Sequence, residues 1–168
     1  MTQSQKIKKA LEENVIPKLL AEGFVGKYPD YRKIYPARIE LISFPKYKYG
    51  NAFYVLASVA YPNRIQSEQN INYNFFNGNL NDLTADDCGD KRYYLKGNFG
   101  DLFYYTDVYL CGGNLVMGIS EEKAKNYKRK WYELRLQKAD ESIYGEVCDL
   151  VNKRLPKIYK WWTKMSKK

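Results

Sequence analysis

The chain has 168 residues, of which 45% are hydrophobic and 16% aromatic, and it carries a formal net charge of +9. This composition excludes a disordered chain, and the length fits a single domain covering residues 1–168. There is no histidine, which excludes Ser-His-Asp and Cys-His catalytic triads and histidine-ligated metal centres. Cys88, Cys111 and Cys148 form no CxxC pair, so we expect buried thiols and no metal, cofactor or enzymatic activity.

The amino-terminal residues are too polar for a signal peptide, and no apolar run approaches the roughly 20 residues of a membrane-spanning helix. The three cysteines, which show no pairing pattern, are typical of a reducing compartment. We therefore expect a cytoplasmic protein that does not enter the membrane.

The first predicted element is an amphipathic helix. Ser4 is a suitable N-cap, Pro17 predicts a kink or a restart of the helix, and Gly23 predicts its end. Apolar residues recur at helical spacing at Ile7, Leu11, Val15 and Leu19.

The middle of the chain has the composition of β-strands. Strands are predicted over residues 31–35, 38–44, 52–61, 71–76, 92–96 and 103–111, with Gly112-Gly113-Asn114 as a hairpin turn. Both alternating faces of 52–61 are apolar, which predicts a central antiparallel strand with helix on one side. Residues 81–90 are acidic and are predicted to be irregular or to form one short helix capped by Thr84.

The last third is predicted to be mainly helical. One helix starts at Ser120, and residues 131–136 fit either a helical or an alternating pattern. A final helix opens at residues 139–142 and is broken or kinked by Pro156. Together these elements predict an α+β fold with an antiparallel sheet of about five or six strands, flanked by the N- and C-terminal helices on one face.

Several short motifs, in this order, resemble the bacterial family of domains of unknown function numbered 4304. They are Gly23-Phe24, Tyr31-Arg32, residues 38–42, Phe53-Tyr54-Val55 and residues 130–134, followed by a helix containing Leu155-Pro156. The resemblance implies a compact α+β domain with an antiparallel sheet, extended structure over 131–136 and no established activity. Domains of this kind occur near polymorphic-toxin genes, so it also suggests an immunity role.

The charge is uneven along the chain. Residues 1–60 carry ten basic and five acidic side chains, residues 61–120 four and seven, and residues 121–168 fourteen and seven. Within the basic third, Lys125, Lys128 and Arg129 are interleaved with aromatic residues, a pattern that nucleic-acid-binding proteins use. A solvated lysine face explains the same run, so nucleic-acid binding is the alternative hypothesis for this chain.

The acidic middle and the seventeen tyrosines favour a different hypothesis. The acidic segment contains Asp82, Asp86, Asp87 and Asp90. Their spacing does not match a calcium-binding loop, so we interpret the segment as a solvated loop. Tyrosines on strands, here Tyr93, Tyr104 and Tyr105, are typical anchors of protein interfaces. We therefore expect a non-catalytic protein-binding domain, with these seven residues forming its partner surface.

Overall fold

The structure is a computed structural model that describes residues 1–48, 50–61, 83–87, 92–111, 114–117 and 132–166. In the described residues the α-helices are α1 (Gln3–Asn14), α2 (Ile16–Ala21) and α3 (Ile143–Met165). The β-strands are β1 (Val25–Lys27), β2 (Asp30–Ile34), β3 (Ile39–Ser43), β4 (Ala52–Phe53), β5 (Leu56–Ala60), β6 (Arg92–Tyr94), β7 (Phe103–Tyr104), β8 (Val108–Cys111), β9 (Asn114–Met117) and β10 (Tyr132–Gln137).

The main sheet has five strands in the order β1-β2-β3-β5-β6, and all of its neighbouring strands are antiparallel. Strand β5 is buried along its whole length and is paired on both sides, as the two apolar faces of residues 52–61 predicted. The predicted α+β fold with an antiparallel sheet and terminal helices is therefore confirmed.

Helices α1, α2 and α3 all pack on one face of this sheet. The main core joins Leu11 and Leu19 of α1 and α2 and Val151 of α3 to strand residues such as Ile42 and Val59. On the opposite face, residues of β3 and β5 form a second cluster with Leu83 and Ala85. Each face of the sheet therefore has its own apolar layer, because successive strand residues point to opposite sides.

The N-terminal helix begins with a different cap from the one expected. Thr2, not Ser4, is the N-cap, because Thr2 and Gln5 exchange side-chain-to-backbone hydrogen bonds in a capping box. The helix is interrupted at Val15 and restarts at Ile16, with Pro17 in its first turn where the missing N–H costs nothing. Pro17 was therefore correctly predicted to restart the helix.

Helix α2 ends where Gly23 predicted. Gly23 adopts a φ of +89°, its N–H donates to the Leu20 carbonyl at 3.0 Å, and Phe24 donates to the Leu19 carbonyl at 3.1 Å. These two bonds form a Schellman motif, which satisfies the last carbonyls of the helix. The chain then turns directly into β1.

Two predicted strands are each divided in the structure. Residues 52–61 form β4 and β5, and residues 103–111 form β7 and β8, because β4 and β7 pair with each other in a separate two-stranded ladder. Strand β8 lies instead between β10 and β9 in a three-stranded sheet. Strand β10 confirms the extended interpretation of residues 132–136, whereas the segments predicted over 71–76 and from Ser120 lie outside the described residues.

Helix α3 continues through Pro156 and is not broken there. Its buried side carries Ile143, Val147, Val151 and Leu155, which recur at helical spacing. In the part of the chain that the structure describes, no helix is long and apolar enough to span a membrane.

Cys148 lies on the buried side of α3, fully excluded from solvent, and burial raises the pKa of its thiol to about 12. Since only the thiolate is nucleophilic, roughly one thiol in ten thousand is reactive at pH 8. We expect iodoacetamide to leave Cys148 unmodified in the folded protein and to alkylate it in urea. Peptide mass spectrometry measures the alkylation of Cys148 separately from that of Cys88 and Cys111. Rapid alkylation of Cys148 under native conditions would contradict its burial.

Candidate binding cleft

A cleft of about 470 Å³ opens on the sheet face opposite the helices. Leu56 of β5 and Tyr94 of β6 are direct cross-strand partners, so both point into it. Tyr54 and Pro45 complete its apolar wall, and three charged residues line it further: Lys46, Asp86 and Asp101. We call this the tyrosine cleft.

The tyrosine walls of the cleft belong to a connected group of rings. Tyr54 meets Tyr94 edge to face at 5.7 Å and Tyr47 at 5.9 Å, and Tyr47 in turn meets Tyr104 at 6.4 Å. Burial raises the pKa of Tyr54 and of Tyr104, so both hydroxyls remain protonated at neutral pH. The cleft therefore has packed aromatic walls, and its wall residue Tyr54 retains a hydrogen-bond donor.

Among the described residues, each of the two cleft carboxylates is paired with one cation. Asp101 accepts from Lys96 at 2.6 Å, and Asp86 lies 3.9 Å from Arg92. The two aspartate side chains are 43% and 61% exposed. The exposed Lys96–Asp101 pair contributes about 0–1 kcal/mol, so Asp101 can exchange its partner at little cost. Arg92 is only 30% exposed and also donates to the Asp86 backbone carbonyl, so it is held more firmly.

The loop that carries Asp101 is held from two sides. Arg154 of α3 donates to the Gly97 carbonyl at 2.6 Å and also to that of Lys96. Asn98 bonds to both the N–H and the carbonyl of Tyr104, and its amide donates to Gln137 at the end of β10. The position of Asp101 is thus set by side chains that are distant in the sequence.

The short 3₁₀ helix Ala85–Asp87 carries Asp86 to the cleft. The Asp87 carboxylate is buried and accepts from the Thr84 N–H at 2.6 Å and its hydroxyl at 2.9 Å. The Ala85 N–H donates to the Ser43 hydroxyl at 3.2 Å, and that hydroxyl donates to Asp30 at 2.6 Å. The Asp87 carboxylate thus caps this turn, and the Ser43 hydroxyl connects the turn to Asp30.

Asp30 of β2 is connected to the same turn through the Ser43 hydroxyl. Burial raises the pKa of its carboxyl, the Ser43 hydroxyl opposes that rise, and the negative charges of Asp86 and Asp87 add to it. The acidic segment thus acts electrostatically on a neighbouring strand as well as lining the cleft.

The residues proposed from the sequence are divided by the structure. Asp86 lines the cleft, whereas Tyr104 does not line it. Tyr104 packs against Tyr47 and is 4% exposed, so it is withdrawn from the partner surface. Asp87 and Tyr105 are 7% and 1% exposed, so they belong to the interior and are withdrawn from the partner surface. Tyr93 stacks on Trp161 of α3, on the helix side of the sheet, and is withdrawn for that reason.

Five of the proposed contact residues lie outside the described residues: Asp82, Asp90, Lys125, Lys128 and Arg129. Sequence reasoning missed Tyr54, Tyr94 and Asp101 as cleft residues. The alternation of residues 52–61 places Tyr54 and Leu56 on one face of the predicted strand, so this part of the cleft could have been predicted from the sequence. The pairing of Leu56 with Tyr94 has no local sequence signal.

A smaller cavity of about 170 Å³ lies on the helix side, near Glu40. Arg38 donates to one oxygen of Glu40 from Nε at 3.0 Å and from Nη2 at 2.8 Å, and its guanidinium lies 4.5 Å from the Tyr35 ring centre. This buried carboxylate is thus neutralised within the protein. In the described ranges, no three potential metal-ligating side chains are grouped together.

The fold and the cleft define the chain as an α+β domain with helices on one side of an antiparallel sheet and a tyrosine-walled cleft on the other. The chain belongs to the family described as Domain of unknown function (DUF4304), whose model matches residues 15–164. This match confirms the resemblance found in the sequence motifs. No curated protein and no solved structure matches the chain.

Proposed function

We propose that this chain is a non-catalytic protein-binding domain of the bacterial cytoplasm and that the tyrosine cleft receives its partner. The observation that carries the proposal is the cleft itself, a cavity of about 470 Å³ with Tyr54 and Tyr94 as walls and Asp86 and Asp101 beside them. Tyrosine-rich, partly apolar surfaces with polar edges are typical of the centres of protein interfaces.

The partner presents a basic side chain to this cleft. Aromatic rings attract a cation through their faces, and a carboxylate beside them adds a charge-assisted hydrogen bond. Of the three charged residues that line the cleft, two are acidic. The cation paired with Asp101, Lys96, is exposed and can be replaced, whereas Arg92, which is paired with Asp86, is partly buried. An arginine or lysine of the partner fits this combination.

An immunity or accessory role in a bacterial toxin system follows as part of the same proposal. Proteins that inhibit nucleases present acidic groups to a basic active site, and such charges steer the encounter. In this basic chain, Asp86 and Asp101 place that acidic character at one aromatic cleft.

The proposal is tested by replacing Tyr94 with the photo-crosslinking residue p-benzoylphenylalanine in cells that produce the protein. Tyr94 is 38% exposed at the cleft, whereas Ile34 is 56% exposed at the far end of the same sheet and is the matched control position. We expect an adduct of one defined mass at position 94 and none at position 34. The same adduct should fall about tenfold when Asp86→Asn and Asp101→Asn are combined, since a charge-assisted bond contributes about 1.5–3 kcal/mol.

Glu12→Gln with Glu13→Gln removes the same charge from the exposed side of α1 and should leave the adduct unchanged. The proposal would be refuted if the adduct formed in equal yield at positions 34 and 94. It would also be refuted if the yield at position 94 were unchanged when Asp86 and Asp101 are both replaced by asparagine. An adduct with a second copy of this chain would refute it too.

A further inference from the structure

The exposed side of α3 carries a stripe of four lysines: Lys153, Lys157, Lys160 and Lys164. Their spacing of four, three and four residues puts them on one line of the helix, opposite the buried residues Val151, Leu155 and Trp162. At 1.5 Å per residue the line is about 16 Å long. We call it the lysine stripe.

This stripe is not neutralised within the protein. Residues 152–166 contain no acidic side chain, and in the described part of the chain none of the four lysines forms an ion pair. The helix dipole accounts for a cation in the last turn only, and Lys153 and Lys157 lie before that turn. The nearest acidic residue in the sequence is Asp149, one turn before Lys153, so the stripe is a positive surface that begins at Lys153 and continues to Lys164.

An aromatic pair lies at the edge of the stripe. Trp161 is adjacent to Lys157 and Lys164 on the helix surface, is half-buried, and stacks on Tyr93 with ring centres 5.7 Å apart. A line of cations that follows a phosphate backbone, beside an aromatic platform for a base, is the combination that binds single-stranded nucleic acid. An acidic protein could use the same cations and the same ring, so competition by an acidic polypeptide is part of the test.

We propose that the lysine stripe and Trp161 form a binding site for single-stranded nucleic acid. Lys153, Lys157, Lys160 and Lys164 contact successive phosphates, and the Trp161 indole stacks on a base. This site lies on the helix side of the sheet, opposite the tyrosine cleft. A test of nucleic-acid binding at the lysine stripe is therefore independent of whether the cleft binds a protein.

The test uses the full chain and a fluorescein-labelled oligothymidylate of about 20 nucleotides, which exceeds the length of the stripe. Fluorescence anisotropy is measured from about 50 to 200 mM salt. We expect affinity to fall with a log–log slope of about −2 to −3, which corresponds to three or four phosphates on single-stranded DNA. Combining Lys157→Gln, Lys160→Gln and Lys164→Gln should weaken binding at least tenfold and flatten this slope.

Two further variants separate a built site from net charge. Lys8→Gln, Lys9→Gln and Lys138→Gln together remove the same charge from exposed lysines elsewhere and should change affinity less than about twofold. Trp161→Leu should weaken binding about fivefold or more with the salt slope unchanged, because stacking is insensitive to salt. Circular dichroism confirms that each variant is folded.

Three results would overturn the inference: no binding at low salt, equal losses from the two lysine triples, or equal competition by polyglutamate of the same charge. The first removes the site, the second reduces it to bulk charge, and the third assigns the stripe to acidic proteins.

Discussion

Leu11→Asp is expected to leave no folded protein. Leu11 is fully buried in the main core, between α1, α3 and the sheet. An ionised carboxylate without a partner costs many kcal/mol in such a place, and the lost leucine adds about 2–5 kcal/mol. Because a domain of this size has only about 5–15 kcal/mol of stability, the variant should show no cooperative unfolding by circular dichroism in urea.

Leu20→Asp is the matched control for this substitution. Leu20 lies nine residues later on α2 and is 49% exposed. The same change there should cost less than about 1 kcal/mol, chiefly through the unfavourable position of an acid near a helix C-terminus. If Leu11→Asp unfolded at the same urea concentration as the wild type, the placement of α1 in the core would be wrong.

Gly97→Ala is expected to lower the free energy of unfolding by at least about 2 kcal/mol. A Cβ atom at Gly97 would approach the Leu102 carbonyl far more closely than the 3.0 Å below which real Cβ contacts are essentially never found. The obstacle is backbone, so the loop itself must move. Since this loop carries Asp101, the variant should also disturb the tyrosine cleft.

The control is the same substitution in the first turn of α3. Gly145 has open space where its Cβ would stand, and alanine is a better helix former than glycine by about 1 kcal/mol. Gly145→Ala should therefore stabilise the protein, so that the two Gly→Ala variants move the urea midpoint in opposite directions. A neutral Gly97→Ala would show that the loop adopts a different path.

Local chemistry was sufficient for the restart and end of the N-terminal helix and for the centre of the sheet. Pro17 and Gly23 act through their own backbone constraints, so the restart and the end of the N-terminal helix could be predicted without knowing the rest of the molecule. The two apolar faces of residues 52–61 likewise predicted that β5 is central, because a strand covered on both sides needs apolar residues on both. The N-cap was wrong because Thr2 and Ser4 are both good caps, and only Thr2 has a glutamine three residues later.

The candidate site was predictable only in part. Asp86 and the tyrosine-rich strands were recognised from composition, but exposure could not be assigned from residue type alone. Tyr105 is chemically an interface residue, yet it is 1% exposed because it lies after β7 in the main core, with its ring against Tyr144 of α3. Asp87 is buried because the Thr84 backbone and hydroxyl satisfy its carboxylate.

By itself, the sequence determined the class of fold, the restart and end of the N-terminal helix at Pro17 and Gly23, the central strand and the absence of histidine chemistry, because composition, apolar pattern and the backbone constraints of single residues suffice for these. Pro156, in contrast, lies inside α3. The tertiary structure alone decided which strands pair, and therefore which tyrosines share a cleft. Leu56 meets Tyr94, and Phe53 meets Phe103, across dozens of residues. Such pairings are set by the packing of the whole chain, and no local pattern encodes them.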